Sequence, residues 1–121
     1  MNFTVTCETA TERLDEVKAC QFFIDELCKD GFDREKLWIE QKSIKYTTLV
    51  FDDKDLARVK ISPRAKWIRI ILSPEDRKDN GGGLFVPDKI HKMYHCSNFS
   101  DISELPRYIP FLKRSPLAGR Q

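Results

Sequence analysis

The sequence predicts a single α+β domain, residues 1–121, in which an antiparallel β-meander of three to four strands packs against an N-terminal helix and a short C-terminal helix. An amphipathic helical pattern lies near the N-terminus, segments of alternating or β-branched residues separated by turns fill the middle, and a second helical pattern follows. The 121 residues suffice for one hydrophobic core and leave no room for a separate catalytic module.

The main helix is predicted at about residues 9–30. Thr9 or Thr11 can cap its N-terminus, and Gly31 can end it. Apolar side chains recur at helical spacing, as expected for one buried face: Leu14, Val17, Cys20, Ile24, Leu27 and Cys28. Charged residues occupy most of the other positions, so we expect an amphipathic helix without a chemical role.

The sheet is predicted at about residues 44–96, after a short helical turn at 33–36. The predicted strands are Ile44–Phe51, Leu56–Ile61, Lys66–Leu72 and Ile90–Cys96, separated by polar turns. A glycine-rich loop at residues 78–83 is predicted to be mobile, because adjacent glycines lose much entropy when they are ordered. It matches neither of the glycine motifs that bind phosphate.

A C-terminal helical region is predicted at about residues 101–114. Ser100 or Asp101 can cap it. Pro106 and Pro110 limit its length, so we expect a short turn and then a helix that starts near Pro106.

The charge balance limits how the chain can bind nucleic acid. With 21 Lys plus Arg against 19 Asp plus Glu, the net charge is only +2, so any such binding must be local. The apolar runs are too short to cross a bilayer and the N-terminus has no signal-peptide pattern, so we expect a cytoplasmic protein that does not engage a membrane.

The four cysteines, Cys7, Cys20, Cys28 and Cys96, form no C-x-x-C pair. Cys20 and Cys28 would lie about 12 Å apart along the main helix, too far for a disulfide. We therefore expect reduced, buried thiols.

A basic, aromatic sheet face is the main functional prediction. Alternation sends Ala57, Val59 and Ile61 to the core and Leu56, Arg58 and Lys60 to the opposite face, and it separates Ile68 and Ile70 from Trp67 and Arg69 in the same way. With Tyr46 from the preceding strand and Arg64 and Lys66 near the turn, the candidate binding residues are Tyr46, Arg58, Lys60, Arg64, Lys66, Trp67 and Arg69.

This set of side chains has two chemical interpretations and one structural one. Arg and Lys pair with phosphates, and exposed rings stack on bases, so a nucleic-acid strand fits the face. Trp, Tyr and Arg also dominate protein interfaces, so an acidic protein surface fits it too. Alternatively, the sheet simply faces water, with Trp67 shielded by the C-terminal helix.

A metal site and a catalytic site are both disfavoured. His91 and His95 would lie about 13 Å apart in a strand, and His95 and Cys96 have no second close pair of ligands, so we expect no metal and no cofactor. No nucleophile or zinc-protease motif is present. Asp52 and Asp53 with Glu75 remain the candidate carboxylates of a metal-dependent nuclease, which is the third hypothesis after two binding functions.

Three stretches resemble a group of short uncharacterised bacterial domains with a basic R-A-K-W-I strand. These stretches are Leu56-Ala-Arg-Val-Lys-Ile61, Arg64-Ala-Lys-Trp-Ile-Arg-Ile70, and His95-Cys96 with Ser100-Asp-Ile-Ser-Glu-Leu-Pro-Arg-Tyr-Ile-Pro-Phe-Leu112. Over residues 45–113 the layout is similar to that of YjbR-like domains, compact α+β folds suspected of DNA binding. The resemblance implies an α+β fold, a bacterial or mobile-element setting and no catalytic residue.

Two functions are therefore expected ahead of catalysis. The preferred hypothesis is a small non-enzymatic protein that recognises nucleic acid, or a nucleoprotein complex, through the seven candidate residues. The alternative is a phage or mobile-element protein that inhibits a bacterial defence nuclease by protein contact, in the manner of an anti-CRISPR protein.

Overall fold

The computed structural model describes residues 3–5, backbone only, and residues 13–118. In chain order the elements are β1 (Phe3–Val5), α1 (Leu14–Lys29), β2 (Leu37–Gln41), β3 (Thr47–Phe51), β4 (Lys54–Ile61), β5 (Lys66–Ile70), α2 (Pro74–Arg77), β6 (Val86–Pro87), β7 (His95–Asn98) and α3 (Ile109–Arg114). Short 3-10 helices lie at Arg34–Lys36, Ile102–Tyr108 and Pro116–Ala118.

All the strands belong to one sheet with the order β1-β2-β3-β4-β5-β7-β6. β1 runs parallel to β2, and every other neighbouring pair is antiparallel. The predicted α+β class and antiparallel sheet are confirmed. The described sheet has seven strands, however, and not the three to four that the sequence predicted.

The additional strands β1, β2 and β6 carry weak sequence signals. β2 alternates between buried and partly buried residues, but polar Glu40 and Gln41 fill its second half. β6 contains only Val86 and Pro87 at the edge of the sheet, the position where a proline is tolerated because no ladder donor is needed. Short or polar strands of this kind escape a search for long apolar alternation.

Helix α1 begins later than the predicted residue 9. Arg13 occupies the N-cap position in an extended conformation, while Thr9 and Thr11 lie outside the described residues. At the other end, Gly31 has a φ of 91° and donates its N–H to the carbonyl of Cys28. The predicted stop at Gly31 is confirmed, because a left-handed residue there ends the helix.

The predicted strand Ile90–Cys96 is displaced, since β7 is His95–Asn98. The carboxylate of Asp88 accepts hydrogen bonds from the backbone N–H groups of Ile90 and His91, at 3.2 and 2.8 Å. A local side-chain bond of this kind competes with strand pairing and holds the segment in a turn. The other strands, β3 to β5, lie where predicted, with small differences at their ends.

The glycine-rich segment forms a turn that is packed at Gly81 and exposed at Gly82 and Gly83, and its mobility stays a prediction. Ser73 caps the short helix α2 by accepting from the N–H of Asp76. Gly81, with a φ of 63°, donates its own N–H to the Asp76 carbonyl at 2.7 Å. A Cβ at Gly81 would lie 2.8 Å from a ring atom of Phe85 and 2.9 Å from one of Phe111, so only glycine fits.

The C-terminal region follows the prediction closely. Asp101 caps the 3-10 helix Ile102–Tyr108 in a capping box with Glu104, and α3 ends at Arg114. Pro106 lies inside the 3-10 segment, which explains why the α-helical geometry begins only afterwards.

The hydrophobic core lies between one face of the sheet and helices α1 and α3. We call this face the inner face and the opposite one the outer face. The core includes Phe23 and Leu27 of α1, Leu112 of α3, and Val59 and Ile68 of the sheet. The helices therefore cover the inner face.

A β-bulge in β4 alters the predicted alternation. Between β3 and β4 the pairing passes from Leu49 with Ala57 to Val50 with Asp55, so Leu56 is an extra residue on β4. Leu56 and Ala57 are both fully buried in the core. The assignment of Leu56 to the outer face is therefore wrong, because a bulge directs two successive side chains to one side.

Candidate binding face of the sheet

Strands β4 and β5 carry most of the candidate residues in two cross-strand pairs. Arg58 lies directly opposite Arg69, and Lys60 lies opposite Trp67. Side chains directly opposite each other point to the same face of a sheet. Ile68, between Trp67 and Arg69 in sequence, is in the core. These four side chains therefore share the outer face.

Tyr46 joins this group from the residue before β3. Its ring centroid lies 6.1 Å from that of Trp67, and the guanidinium of Arg58 lies 5.1 Å from its centroid. The guanidinium of Arg69 lies 4.2 Å from the centroid of Trp67. These distances fit cation–π contacts. We call Tyr46, Arg58, Lys60, Trp67 and Arg69 the outer-face site.

Arg13 positions the chain around Tyr46. Its guanidinium donates hydrogen bonds to the carbonyl oxygens of Ser43, Ile44 and Tyr46 at 2.8, 2.9 and 2.7 Å. The carboxylate of Glu16 holds this guanidinium through the Nε of Arg13 at 2.6 Å. The connection between β2 and β3 is thereby tied to the start of α1.

Glu16 is itself fully buried and joins three elements. It accepts a hydrogen bond from the hydroxyl of Thr47 at 2.7 Å and another from the backbone N–H of Ile61 at 2.9 Å. Arg13 is the third donor to this carboxylate. The three donors together offset the free-energy cost of burying its negative charge. Glu16 thus holds α1 against β4 and against the first residue of β3, which directly follows Tyr46.

Carboxylates neutralise both arginines of the outer-face site. Arg58 is 3.3 Å from Asp55, and Arg69 is 3.3 Å from Asp88. A hydrogen bond from the backbone N–H of His91, together with the charge of Arg69, lowers the pKa of Asp88 below its usual value. Each of the two guanidinium groups is thus paired with a carboxylate of the protein itself.

Lys42 belongs to the same network of charges. Its ammonium lies 3.2 Å from Glu40 and 3.3 Å from Asp55. Burial opposes the charged form, but the contacts with these two carboxylates outweigh it and raise the pKa of Lys42. The outer face, which the sequence predicted to be basic and aromatic, therefore carries charges of both signs.

The remaining candidate cations differ in their positions. Lys60 donates a hydrogen bond to the carbonyl of Lys45 at 2.9 Å, and Arg64 is exposed in the turn between β4 and β5. Lys66 pairs across the ladder with Ile61 and lines a cavity of about 250 Å³ with Asp15, so it lies on the inner side. Within residues 13–118, none of these three cations forms a salt bridge.

Tyr94 covers the outer face next to Arg58. Its ring centroid lies 4.7 Å from the Arg58 guanidinium, and its side chain is largely buried. Burial raises the pKa of Tyr94, against the opposing effect of the Arg58 charge. Thr48 and Val50, which pair with Arg58 and Asp55 in the ladder, are also buried. Long side chains thus cover the middle of the face.

Sequence reasoning missed Asp55, Asp88 and Tyr94 as components of this face. Strict alternation separates Asp55 from Arg58, and only the bulge brings them to the same side. Asp88 and Tyr94 come from the segment before β7, whose fold over the sheet depends on tertiary contacts. Of these three residues, only Asp55 had a signal in the sequence, because it lies in the acidic turn directly before the basic strand.

The residues considered for metal binding do not converge. His95 is buried opposite Ile70 on the inner side, whereas Cys96 lies opposite Arg69 on the outer side and His91 is exposed in the loop. Burial raises the pKa of the Cys96 thiol, although Arg69 opposes this effect. Over residues 13–118, no three or more His, Cys, Asp or Glu side chains are grouped so that they could hold a metal ion.

The candidate nuclease carboxylates have structural explanations. Asp52 and Asp53 form the two-residue turn between β3 and β4 with φ values of 53° and 67°. This conformation is typical of a type I′ hairpin, in which Asp is favoured. Glu75 lies on α2, where it forms an exposed ion pair with Lys78.

Together, the fold and the outer-face site define an α+β protein with an aromatic, arginine-bearing sheet face. Comparisons with protein-family models, curated proteins and solved structures found no match. The similarity to YjbR-like domains stays a prediction from the sequence. None of the helices in the described part of the chain is long and apolar enough to cross a membrane.

Proposed function

We propose that the protein is a non-enzymatic binding protein that takes up a single-stranded segment of nucleic acid, free or within a nucleoprotein complex, on the outer face of its sheet. This proposal rests on the adjacency of Tyr46 and Trp67, whose ring centroids lie 6.1 Å apart. Lys60 lies opposite Trp67 in the ladder and adds a positive charge beside the rings. We propose a cytoplasmic location, where the thiols of Cys20, Cys28 and Cys96 stay reduced.

The rings and guanidinium groups provide the stacking surface. Bases stack on aromatic rings and on arginine planes, and such stacking contributes about 1–3 kcal/mol per base. Trp67 already carries Arg69 over its ring, and Tyr46 carries Arg58. The aromatic rings and guanidinium planes are therefore already ordered before a base binds, so binding costs little side-chain entropy.

The cations without ion pairs provide the phosphate contacts. Lys60 and Arg64 are available for phosphates, whereas Arg58 and Arg69 already pair with carboxylates and Lys66 lies on the inner side. When a cation of the protein pairs with a phosphate, it releases a counterion from the nucleic acid, and this release makes the affinity depend on salt. We therefore expect log affinity to change with log salt with a slope of about −1.4, as about −0.7 for each of two phosphates on a single strand implies.

The test is a titration of a fluorescently labelled single-stranded oligonucleotide by anisotropy over a series of KCl concentrations. Lys60→Gln and Arg64→Gln should each make the slope less negative by about 0.7, because each removes one phosphate contact. Lys78→Gln removes the same charge from the residue after α2, away from the outer face, and should leave the slope unchanged. The proposal fails if the oligonucleotide does not bind, or if Lys78→Gln acts like the other two variants.

A second function, inhibition of a defence nuclease by protein contact, is favoured by one observation. The two arginines of the outer-face site are already neutralised and stacked on rings, which leaves a mixed-charge patch rich in the residue types of protein hot spots. For this function, binding to the purified nuclease would depend only weakly on salt. The oligonucleotide would then not compete with it.

A further inference from the structure

The loop between β6 and β7 exposes an unusual amount of apolar surface. Ile90 is 82 % exposed, Met93 is 57 % exposed and Val86, at the base of the loop, is 61 % exposed. Neighbouring exposed side chains of this size are costly to leave in water, and a group of them is typical of an interaction surface. We call residues 88–94 the apolar loop.

Hydrogen bonds fix the base of the apolar loop, although its tip is exposed. The backbone N–H of Asp88 donates to the carbonyl of Tyr94 at 3.0 Å, and the N–H of Tyr94 donates to the carbonyl of His91 at 2.9 Å. The side chain of Asp88 caps the turn from inside, at 2.8 Å from the His91 N–H. Tyr94 and Asp88 also anchor both ends on Arg58 and Arg69.

These anchors hold Ile90 and Met93 in a prearranged position. A rigid loop loses little conformational entropy when it binds, so even a small apolar contact can contribute measurable affinity. Met adapts well to the shape of a partner pocket.

The charge of the loop indicates the chemistry of its partner. Lys89 and Lys92 flank Ile90 and are exposed, whereas the carboxylate of Asp88 is occupied by backbone donors and by Arg69. The surface that the loop presents outward is therefore apolar at its tip and positive at its rim. Complementarity requires an apolar pocket with carboxylates around it.

We propose that the apolar loop docks into a second protein, with Ile90 and Met93 in an apolar pocket and Lys89 and Lys92 against acidic side chains at its rim. Nucleic acid is a poor fit, because the exposed ring of His91 lies edge-on against Tyr94 and the other exposed side chains of the tip are aliphatic, which gives a base little surface for stacking. A contact between the loops of two copies across a two-fold axis is also a poor fit, because it would bring the same lysines together. A lipid surface usually selects Trp, Phe or Leu, which the exposed tip lacks.

The first step of the test replaces Ile90 by a photo-crosslinking amino acid and irradiates the protein in cells of its native host. The matched control places the same amino acid at Glu75, an exposed position on α2. We expect one protein to be crosslinked from position 90 and not from position 75. Crosslinking only to nucleic acid or lipid, or equal crosslinking from both positions, would overturn the proposal.

The second step measures the affinity of that purified protein by calorimetry. Ile90→Ser and Lys89→Glu should each weaken binding at least tenfold, while Ile102→Ser, which removes another exposed isoleucine, should not. Urea unfolding of the three variants checks that each is folded. Equal affinity for Ile90→Ser and the unaltered chain would refute the docking role. Since Ile90→Ser leaves the outer-face site intact, oligonucleotide binding tests the proposed function separately.

Discussion

At the scale of single residues, His95 shows how burial links a side chain to stability. Its imidazole is 6 % exposed, and its Nδ1 has no hydrogen-bond partner. Burial, and then the nearby charge of Arg77, lower the pKa of His95 below the ordinary value of 6.5. The folded protein therefore binds the His95 proton less readily than the unfolded chain does.

This difference predicts the direction of a pH effect. Below pH 6.5 the unfolded chain takes up the proton first, so the contribution of His95 to stability is fully present above that pH and is lost as the pH falls toward the folded pKa. Urea unfolding at pH 7.5 and 5.5 should show a smaller loss of stability for His95→Gln than for the unaltered protein. His91→Gln, at an exposed position, should behave like the unaltered protein; an identical loss in all three proteins would contradict the prediction.

At the scale of elements, the network around Glu16 links helix α1 to the strands of the binding face. Glu16 accepts from Arg13, Thr47 and the backbone of Ile61, and Arg13 in turn holds the backbone near Tyr46. Removing the charge of a buried, hydrogen-bonded carboxylate leaves its donors poorly matched.

Glu16→Gln should therefore lower the free energy of unfolding by about 2–3 kcal/mol, measured by urea denaturation. Glu75→Gln, in an exposed ion pair on α2, is the control and should leave the denaturation midpoint nearly unchanged. If Glu16→Gln unfolds at the same urea concentration as the control, the network does not stabilise the junction between α1 and the sheet.

Alternation along β5 and the second half of β4 was enough to predict which side chains of these two strands share the outer face. It placed Arg58, Lys60, Trp67 and Arg69 together, and the ladder between the two strands does so. It failed at Leu56, because a strict two-residue period contains no sign of an extra residue.

The segment before β7 could not be predicted in the same way. Its β-branched and aromatic residues favour a strand, but hydrogen bonds to Asp88 stabilise a turn instead. Gly81 is a similar case, because its fit against Phe85 and Phe111 depends on contacts that are distant in sequence. Local patterns describe the meander, whereas the features that shape its outer face are tertiary.

At the scale of the whole molecule, the small net charge of +2 leaves binding to the local arrangement of charges. Carboxylates compensate Arg58, Arg69 and Lys42, whereas Lys60 and Arg64 lie toward the turn between β4 and β5. Binding to the outer face therefore requires that the ligand contacts the ring of Trp67, which lies between these two regions.

The most direct measurement uses Trp38→Phe, in which Trp67 is the remaining tryptophan. Titration with a single-stranded oligonucleotide at low salt should quench and shift the fluorescence of Trp67 with the same midpoint as the anisotropy titration, because a base stacks on the indole. Fluorescence that stays constant while the oligonucleotide binds would show that the strand lies elsewhere on the protein.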